Sequence, residues 1–398
     1  MTTFLDYNLS DGLIKSLKYL RFNKPTEVQE KTIPIALTHN DILASAETGS
    51  GKTAAYLIPL IQKIIYSRNV FGLVLVPTRE LAKQVADVGN SLKGYKSKIL
   101  ITQVVGGASL NNQVSQLRKS PKIIIGTPGR INDLLIRKSL SLKNFNFLVL
   151  DEADRMLDMG FEDQVEKILK FMPEKRQTLL FSATIPERIK KLSKKYLQSP
   201  HRVEVKENNV IKTQITQKII ETTQEKKYYK LLDEITERHG SILIFVRTKY
   251  LTEKLKKRLK QDTVKSLALH GDLRQNRRNR IIDDFRKSKY RILIATDIAS
   301  RGLDIPHIEH VINFDMPQVP EDYIHRIGRT ARAGSIGEAV SFISPRDAKM
   351  WKIIEKLLDK TKNPDKKFSE EETQQKPKEK RFKKRRRKSR KYYQNSKK

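Results

Sequence analysis

Two tandem α/β domains with parallel sheets, followed by a disordered basic tail, are what the sequence predicts, and three observations carry that prediction. Short apolar, β-branched runs recur along the chain, each followed by a polar turn and then a helix-like stretch. The series breaks near 201–213 and then restarts, and from about residue 361 it stops altogether. Continuous rather than alternating hydrophobicity marks strands covered on both faces, which belong to parallel sheets packed under helices. A chain of 398 residues has room for two domains of ordinary size and a remainder.

In the first series the runs are "DILASA" at 41–46, "FGLVLVPT" at 71–78, "KIIIGTP" at 122–128, "FLVLDEA" at 147–153 and "QTLLFSAT" at 177–184, so the first domain is assigned to 1–200. The polar stretch 201–213 reads as a linker. The second series is "SILIFVRT" at 241–248, "VKSLALHGD" at 264–272, "RILIATD" at 291–297, "HVINFDMP" at 310–317 and "EAVSFIS" at 338–344, giving a second domain over 214–360. Residues 361–398 hold 17 Lys and Arg against 5 Asp and Glu with almost nothing aliphatic to bury, the composition of a disordered basic tail.

The whole chain carries 80 Lys and Arg against 45 Asp and Glu, a net charge of +35, far beyond what solubility needs. That excess points to a polyanionic partner, with nucleic acid first. The absence of cysteine excludes disulfides, thiol nucleophiles and thiolate metal sites. No run approaches the roughly 18 to 20 apolar residues of a membrane span, and "MTTFLDYNLSDGLIKSL" lacks an apolar signal core, so a soluble, cytoplasmic, monomeric protein is expected.

"SAETGSGKTAAYLIPLI" sets Gly49, Gly51, Lys52 and Thr53 between a buried strand and an amphipathic helix. Glycines let backbone N–H groups turn inward around a phosphate, and the helix N-terminus adds its positive end. Lys52 is then expected on the β/γ-phosphates and the Thr53 hydroxyl on Mg²⁺. Such a loop needs a metal-holding carboxylate at the end of a neighbouring strand, and Asp151 stands directly after "FLVL". Asp151 and Thr53 are the metal candidates. Glu152 beside them is suited to orient or deprotonate the attacking water. An isolated "DEAD" would read more simply as a helix N-terminus favoured by the dipole.

The segment is not isolated. In order come "RFNKPTEVQ" (21–29), "AETGSGKT" (46–53), "PTREL" (77–81), "GG" (106–107), "TPGR" (127–130), "DEAD" (151–154), "SAT" (182–184), "FVRT" (245–248), "HGD" (270–272) with Gln275 and Arg278, "ATDIASRGLD" (295–304) and "HRIGRTARAG" (325–334). From about residue 4 to 345 the chain resembles the DEAD-box family of ATP-dependent RNA helicases, most nearly the compact bacterial RhlE type. The resemblance implies two RecA-like domains, ATP and Mg²⁺ as cofactors, and RNA as partner.

By the same resemblance Phe22, Pro25, Thr26 and Gln29 recognise adenine, and Ala46, Thr48, Gly49, Ser50, Gly51, Gly302 and Asp304 complete the nucleotide site. Arg329 and Arg332 match the arginine fingers, with His325 facing the DEAD segment. Asp154, Ser182 and Thr184 couple that segment to closure. RNA contacts fall on Thr78, Arg79, Gly107, Thr127 and Arg130 in the first domain, and on Arg247, Thr248, Gln275, Arg278 and Thr296 in the second. Hydroxyls, backbone N–H groups and guanidinium suit phosphate and ribose and carry no base code. The expected activity is RNA-stimulated ATP hydrolysis with local, non-processive unwinding, in ribosomal or RNA-decay assemblies. A non-enzymatic RNA clamp and a DNA translocase are the alternatives.

Three further readings are open to test. Arg326 suits an exposed basic helix face, "HIEH" at 307–310 suits surface histidines better than a metal site, and the tail suits an RNA-holding arm with Phe382, Tyr392 and Tyr393 to stack.

Overall fold

A computed structural model describes residues 2–46, 49–94, 96–205, 215–300, 308–331 and 337–362. The first domain holds seven strands, β1 (Ile42–Ser45), β2 (Gly72–Leu75), β3 (Ile101–Val104), β4 (Ile123–Gly126), β5 (Phe147–Leu150), β6 (Gln177–Ser182) and β7 (His201–Glu204). They form one sheet in the order β3-β4-β2-β5-β6-β1-β7, with every neighbouring pair parallel. The second domain repeats the architecture with β8 (Ile215–Glu221), β9 (Ile242–Phe245), β10 (Leu267–Leu269), β11 (Ile292–Ala295), β12 (His310–Asn313) and β13 (Gly337–Ile343), in the order β10-β11-β9-β12-β13-β8 and again all parallel.

Continuous apolar runs arise because both faces of each central strand are buried. Ile42, Val74, Ile123, Val149 and Phe181 point into one core layer, while Leu43, Leu73, Ile124, Leu148 and Leu180 point into the other. The second sheet is divided the same way, with Leu243 and Leu293 on one side and Ile244 and Ile294 on the other. A side-chain period of two thus leaves no solvated face along the central strands.

Three strands fall outside the expected runs, and all are at or next to burial minima. β3 alternates half-buried and buried positions, β7 buries only Val203, and β8 buries only Ile215. Edge strands have one solvated flank, so their sequences read as polar. The segment 201–213 is corrected accordingly: residues 201–204 are not linker but the edge strand β7, paired with β1 in register Ile42 to His201. Val205 follows it, its N–H bonded to the Ser45 carbonyl, and residues 206–213 lie outside the described residues. At the other end, helix Ala348–Lys362 crosses the expected tail boundary at 361, and the tail beyond Lys362 is likewise outside. Among the described residues no helix is long and apolar enough to cross a membrane.

Parallel pairing places every strand's carboxyl end on one edge of its sheet, where ligands of open α/β sheets bind. The segments leaving β1 to β6 carry most of the first domain's candidate residues, with Phe22, Thr26 and Gln29 ahead of β1, and those leaving β9, β10, β11 and β12 carry the second domain's.

Candidate nucleotide site and nucleic-acid interface

Helix Lys52–Tyr66 begins at Gly51, which adopts φ 98°. A Cβ on Gly51 would fall 2.5 Å from the Gln29 side-chain nitrogen and 2.8 Å from Thr26 Oγ1, so both conformation and neighbours require glycine. Gln29 explains the closeness. Its Oε1 accepts from the Thr26 N–H at 3.1 Å, capping helix Glu27–Leu37, while its Nε2 donates to the Gly51 carbonyl at 3.1 Å. The expected adenine-recognition element is therefore bonded directly to the phosphate loop. Phe22 is half-buried against the same core layer. Lys52 is buried and folds back to donate to the Ala46 carbonyl at 2.9 Å, and Ala46 N–H donates to the Ser182 carbonyl at 3.0 Å. Gly49 shares the left-handed conformation, at φ 90°. Thr48, Gly302, Asp304 and Arg332 lie outside the described residues.

Asp151 leaves β5 fully enclosed. It accepts from the Tyr56 hydroxyl at 2.9 Å and from the Glu152 N–H at 2.9 Å. Burial pushes its carboxyl up to about 6, against the pull of the Lys52 ammonium. Burial and the adjoining Asp151 also hold the Tyr56 phenol well above its ordinary value, so it remains a donor. Glu152 sits at φ 51° at the start of helix Ala153–Asp158, buried and ion-paired with buried Arg155. That left-handed residue turns the chain sharply out of the strand, an uncommon conformation for glutamate.

Leu150 pairs with Leu180, so β6 projects two residues past β5 and brings Ala183 and Thr184 beside the DEAD segment. Asp154 Oδ2 accepts from the N–H groups of Ala183 and Thr184 at 3.0 and 3.2 Å and from the Thr184 hydroxyl at 3.4 Å. Ser182, expected beside them, contributes its carbonyl; its buried hydroxyl has no partner among the described residues.

In the second domain Arg329 is buried just beyond helix Pro320–Ile327, and His325 Nδ1 lies 3.7 Å from Asp322. Arg326 overturns its expected reading. It is 2 % exposed, holds both oxygens of Asp297 at 2.6 and 2.8 Å, and donates to Asn313 and the Asp315 carbonyl at 3.1 and 2.6 Å. A fully bonded guanidinium in that place ties the carboxyl ends of β11 and β12 together. His310 Nε2 meets the His239 carbonyl at 2.8 Å and its Nδ1 lies 3.3 Å from Glu338; His307 is outside the described residues.

Thr78 and Thr248 hold matching places in the two domains. Each caps the helix after the second or ninth strand, accepting the N–H three residues on at 3.2 Å. Thr78, Arg79, Thr127 and Arg130 line one cleft of about 450 Å³, and Arg278 of the second domain closes its far wall. The domains touch there: Arg278 Nε donates to Glu80 Oε1 at 2.7 Å, and Arg79 donates to Gln275 Oε1 at 3.3 Å. Both Glu80 and Arg278 are buried, and Arg278 also binds the carbonyls of His270 and Ala299. Arg79 crosses Gly107, where φ is 77° and a Cβ would collide with its guanidinium. Arg247, Thr248 and Thr296 do not line the cleft; exposed Arg247 reaches Asp347 at 3.3 Å.

Three residues of the site escape sequence reasoning. Tyr56 stands one helical turn after Lys52, and Arg155 one turn after Glu152, so spacing alone could have suggested either. Glu80 lies inside "PTREL" without a partner in sequence to name it.

Residues 26–192 match the DEAD/DEAH box helicase family model and 223–334 the helicase conserved C-terminal domain. The "ATP-dependent RNA helicase CshA" of Listeria monocytogenes is 40% identical over 92% of this chain and 70% of its own length. The CshA protein of Bacillus cereus is 43% identical over 89% and 68%. Among solved structures, S. cerevisiae Dbp5 bound to RNA and ADP BeF3 superposes with a TM-score of 0.79 at 31% identity, over 89% of this chain and 93% of that one. These relatives carry the CshA name rather than the RhlE type expected from the sequence. By two family models in tandem and by relatives matched over most of their length, the chain belongs to the DEAD/DEAH-box helicase family.

Proposed function

We propose that this chain is an ATP-dependent RNA helicase whose ATPase site is completed only when its two domains close on RNA. The observation that carries this reading is the cleft in which Thr78, Arg79, Thr127 and Arg130 of one domain face Arg278 of the other, with Glu80 and Arg278 bonded across the junction. A strand lying there contacts both domains at once through groups suited to sugar and phosphate. Recognition is then largely independent of sequence, and unwinding is local and non-processive.

At the nucleotide, Gln29 and Phe22 recognise adenine, the glycine loop and Lys52 hold the phosphates, and Glu152 orients the attacking water and takes its proton. Asp151 and Thr53 fit Mg²⁺, since a hard cation takes oxygen ligands and a carboxylate at the end of β5 and a hydroxyl in the first turn after the glycine loop supply them. Bound Mg²⁺ would neutralise charge on the phosphate oxygens. Arg329 and Arg332 supply guanidinium from the second domain to the transferring phosphoryl group, so chemistry waits for closure.

The CshA-named relatives support placing the chain nearer that type than the RhlE type. A cytoplasmic location, a monomeric state and work on ribosomal or RNA-decay assemblies complete the proposal. Phosphate release measured without nucleic acid, with RNA and with DNA tests it: RNA alone should accelerate turnover. Equal stimulation by DNA would favour a translocase, and no turnover a passive clamp.

A further inference from the structure

The second domain carries a basic groove whose four basic side chains are not among the proposed RNA contacts. Helix Gln275–Arg286 buries Arg278, Ile282 and Phe285 and leaves Arg277 and Arg280 exposed on its other face, with Arg274 exposed just before it. Lys256, from helix Lys249–Gln261, faces them across a groove of about 580 Å³. Among the described residues none of these four side chains has an ion-pair partner. The one acid lining the groove, Asp284, is already bonded to Lys289 at 2.9 Å. Like charges one turn apart repel, so this arrangement costs the fold stability and is not explained by it.

The groove opens on Gly107 of the first domain and on Gln275, which also bonds Arg79. It thus adjoins the cleft assigned to RNA, which is lined by Gly106 and Arg79. We propose that an RNA strand leaving the interdomain cleft continues along this groove, its phosphates held by Arg274, Arg277, Arg280 and Lys256. The groove would add affinity for longer RNA without reading its sequence and without taking part in hydrolysis. Arginine guanidinium suits phosphate oxygens, and exposed side chains free of other partners can engage them at little cost. This inference rests on the RNA-binding reading of the cleft.

The test compares the full chain with the triple variant Arg274→Gln, Arg277→Gln, Arg280→Gln, using a short oligouridylate that fills only the cleft and a longer one that extends beyond it. If three phosphates are released from counterions in the groove, log K against log[salt] for the longer RNA should flatten by about 2 units in the variant, at roughly 0.7 per phosphate. Short-RNA affinity and the ATPase rate at saturating short RNA should match the unsubstituted protein. The corresponding triple lysine variant should restore the slope, which separates lost charge from a damaged fold. An unchanged slope and length dependence would overturn the proposal, leaving the groove for an acidic protein. Loss of short-RNA affinity together with the saturated ATPase would also overturn it, by assigning the arginines to domain closure. Failure of the unsubstituted protein to bind either RNA would sink the underlying reading as well, and would be visible without any variant.

Discussion

Glu152 and Asp151 are adjacent carboxylates with different surroundings, and the difference sorts their chemistry. Asp151 is enclosed, held by the Tyr56 hydroxyl and pushed up to about 6, whereas Glu152 is turned out at φ 51° and paired with Arg155. Replacing Glu152 with Gln should preserve ATP and RNA binding and cut turnover on the order of 10² to 10⁴, the usual worth of a positioned acid–base group. Loss of ATP binding in an equilibrium titration would count against the assignment. Tyr56→Phe removes the hydroxyl that donates to Asp151 and bonds the Thr53 side chain, and leaves the ring in place. Folding stability should fall by about 1 kcal/mol, and the Mg²⁺ concentration needed for half-maximal turnover should change while RNA affinity stays fixed. An unaltered Mg²⁺ dependence would reduce Tyr56 to a core residue. The placement of Lys52, Asp151 and Glu152, at a helix start after a glycine turn and at the end of a buried strand, was legible in the sequence because it follows from local pattern. Arg326 was not, because its three partners, Asp297, Asn313 and Asp315, lie just after β11, at the end of β12 and just beyond it, places that meet it only in the folded sheet.

At the scale of elements, ten of the thirteen strands could be read from hydrophobicity, because their side chains are buried on both faces. β3, β7 and β8 could not, because a half-solvated strand has the composition of a polar connector. The contact between helix Arg79–Lys93 and helix Gln275–Arg286 was equally hidden: Glu80 and Arg278 are nearly 200 positions apart and bond only when the domains meet. Removing one partner of a buried ion pair leaves the other uncompensated, typically at a cost of 3–5 kcal/mol. Glu80→Gln should therefore disfavour the closed arrangement, raising the RNA concentration needed to stimulate ATP hydrolysis while leaving nucleotide affinity without RNA untouched. The reversed pair Glu80→Arg with Arg278→Glu should recover part of that loss. No recovery, or no initial effect, would mean that the contact is incidental to closure.

Over the whole molecule, charge and connectivity decide how the parts act together. Residues 376–398 hold 14 Lys and Arg and one acid, Glu379, so this segment can neutralise phosphates by charge alone. If about six of those charges engage RNA, truncation after Lys362 should reduce the salt slope of RNA binding by about 4 units, at roughly 0.7 each, with little change in the saturated ATPase rate. An unchanged slope would leave the tail without a part in RNA binding. The groups proposed to be catalytic are divided between domains: Lys52, Asp151 and Glu152 in one, Arg329 in the other. Hydrolysis should thus depend on whatever brings the domains together. The most direct measurement is steady-state phosphate release by the full chain and by Arg329→Ala, each without nucleic acid, with saturating RNA and with saturating DNA, alongside nucleotide affinity. RNA should accelerate the unsubstituted chain and DNA should not. Arg329→Ala should bind nucleotide normally and lose on the order of 10³ or more of the RNA-stimulated rate, as arginine fingers do at related phosphoryl-transfer sites. A rate indifferent to RNA, or an Arg329→Ala variant that turns over as fast as the unsubstituted chain, would contradict a site split between two domains and completed by closure on RNA.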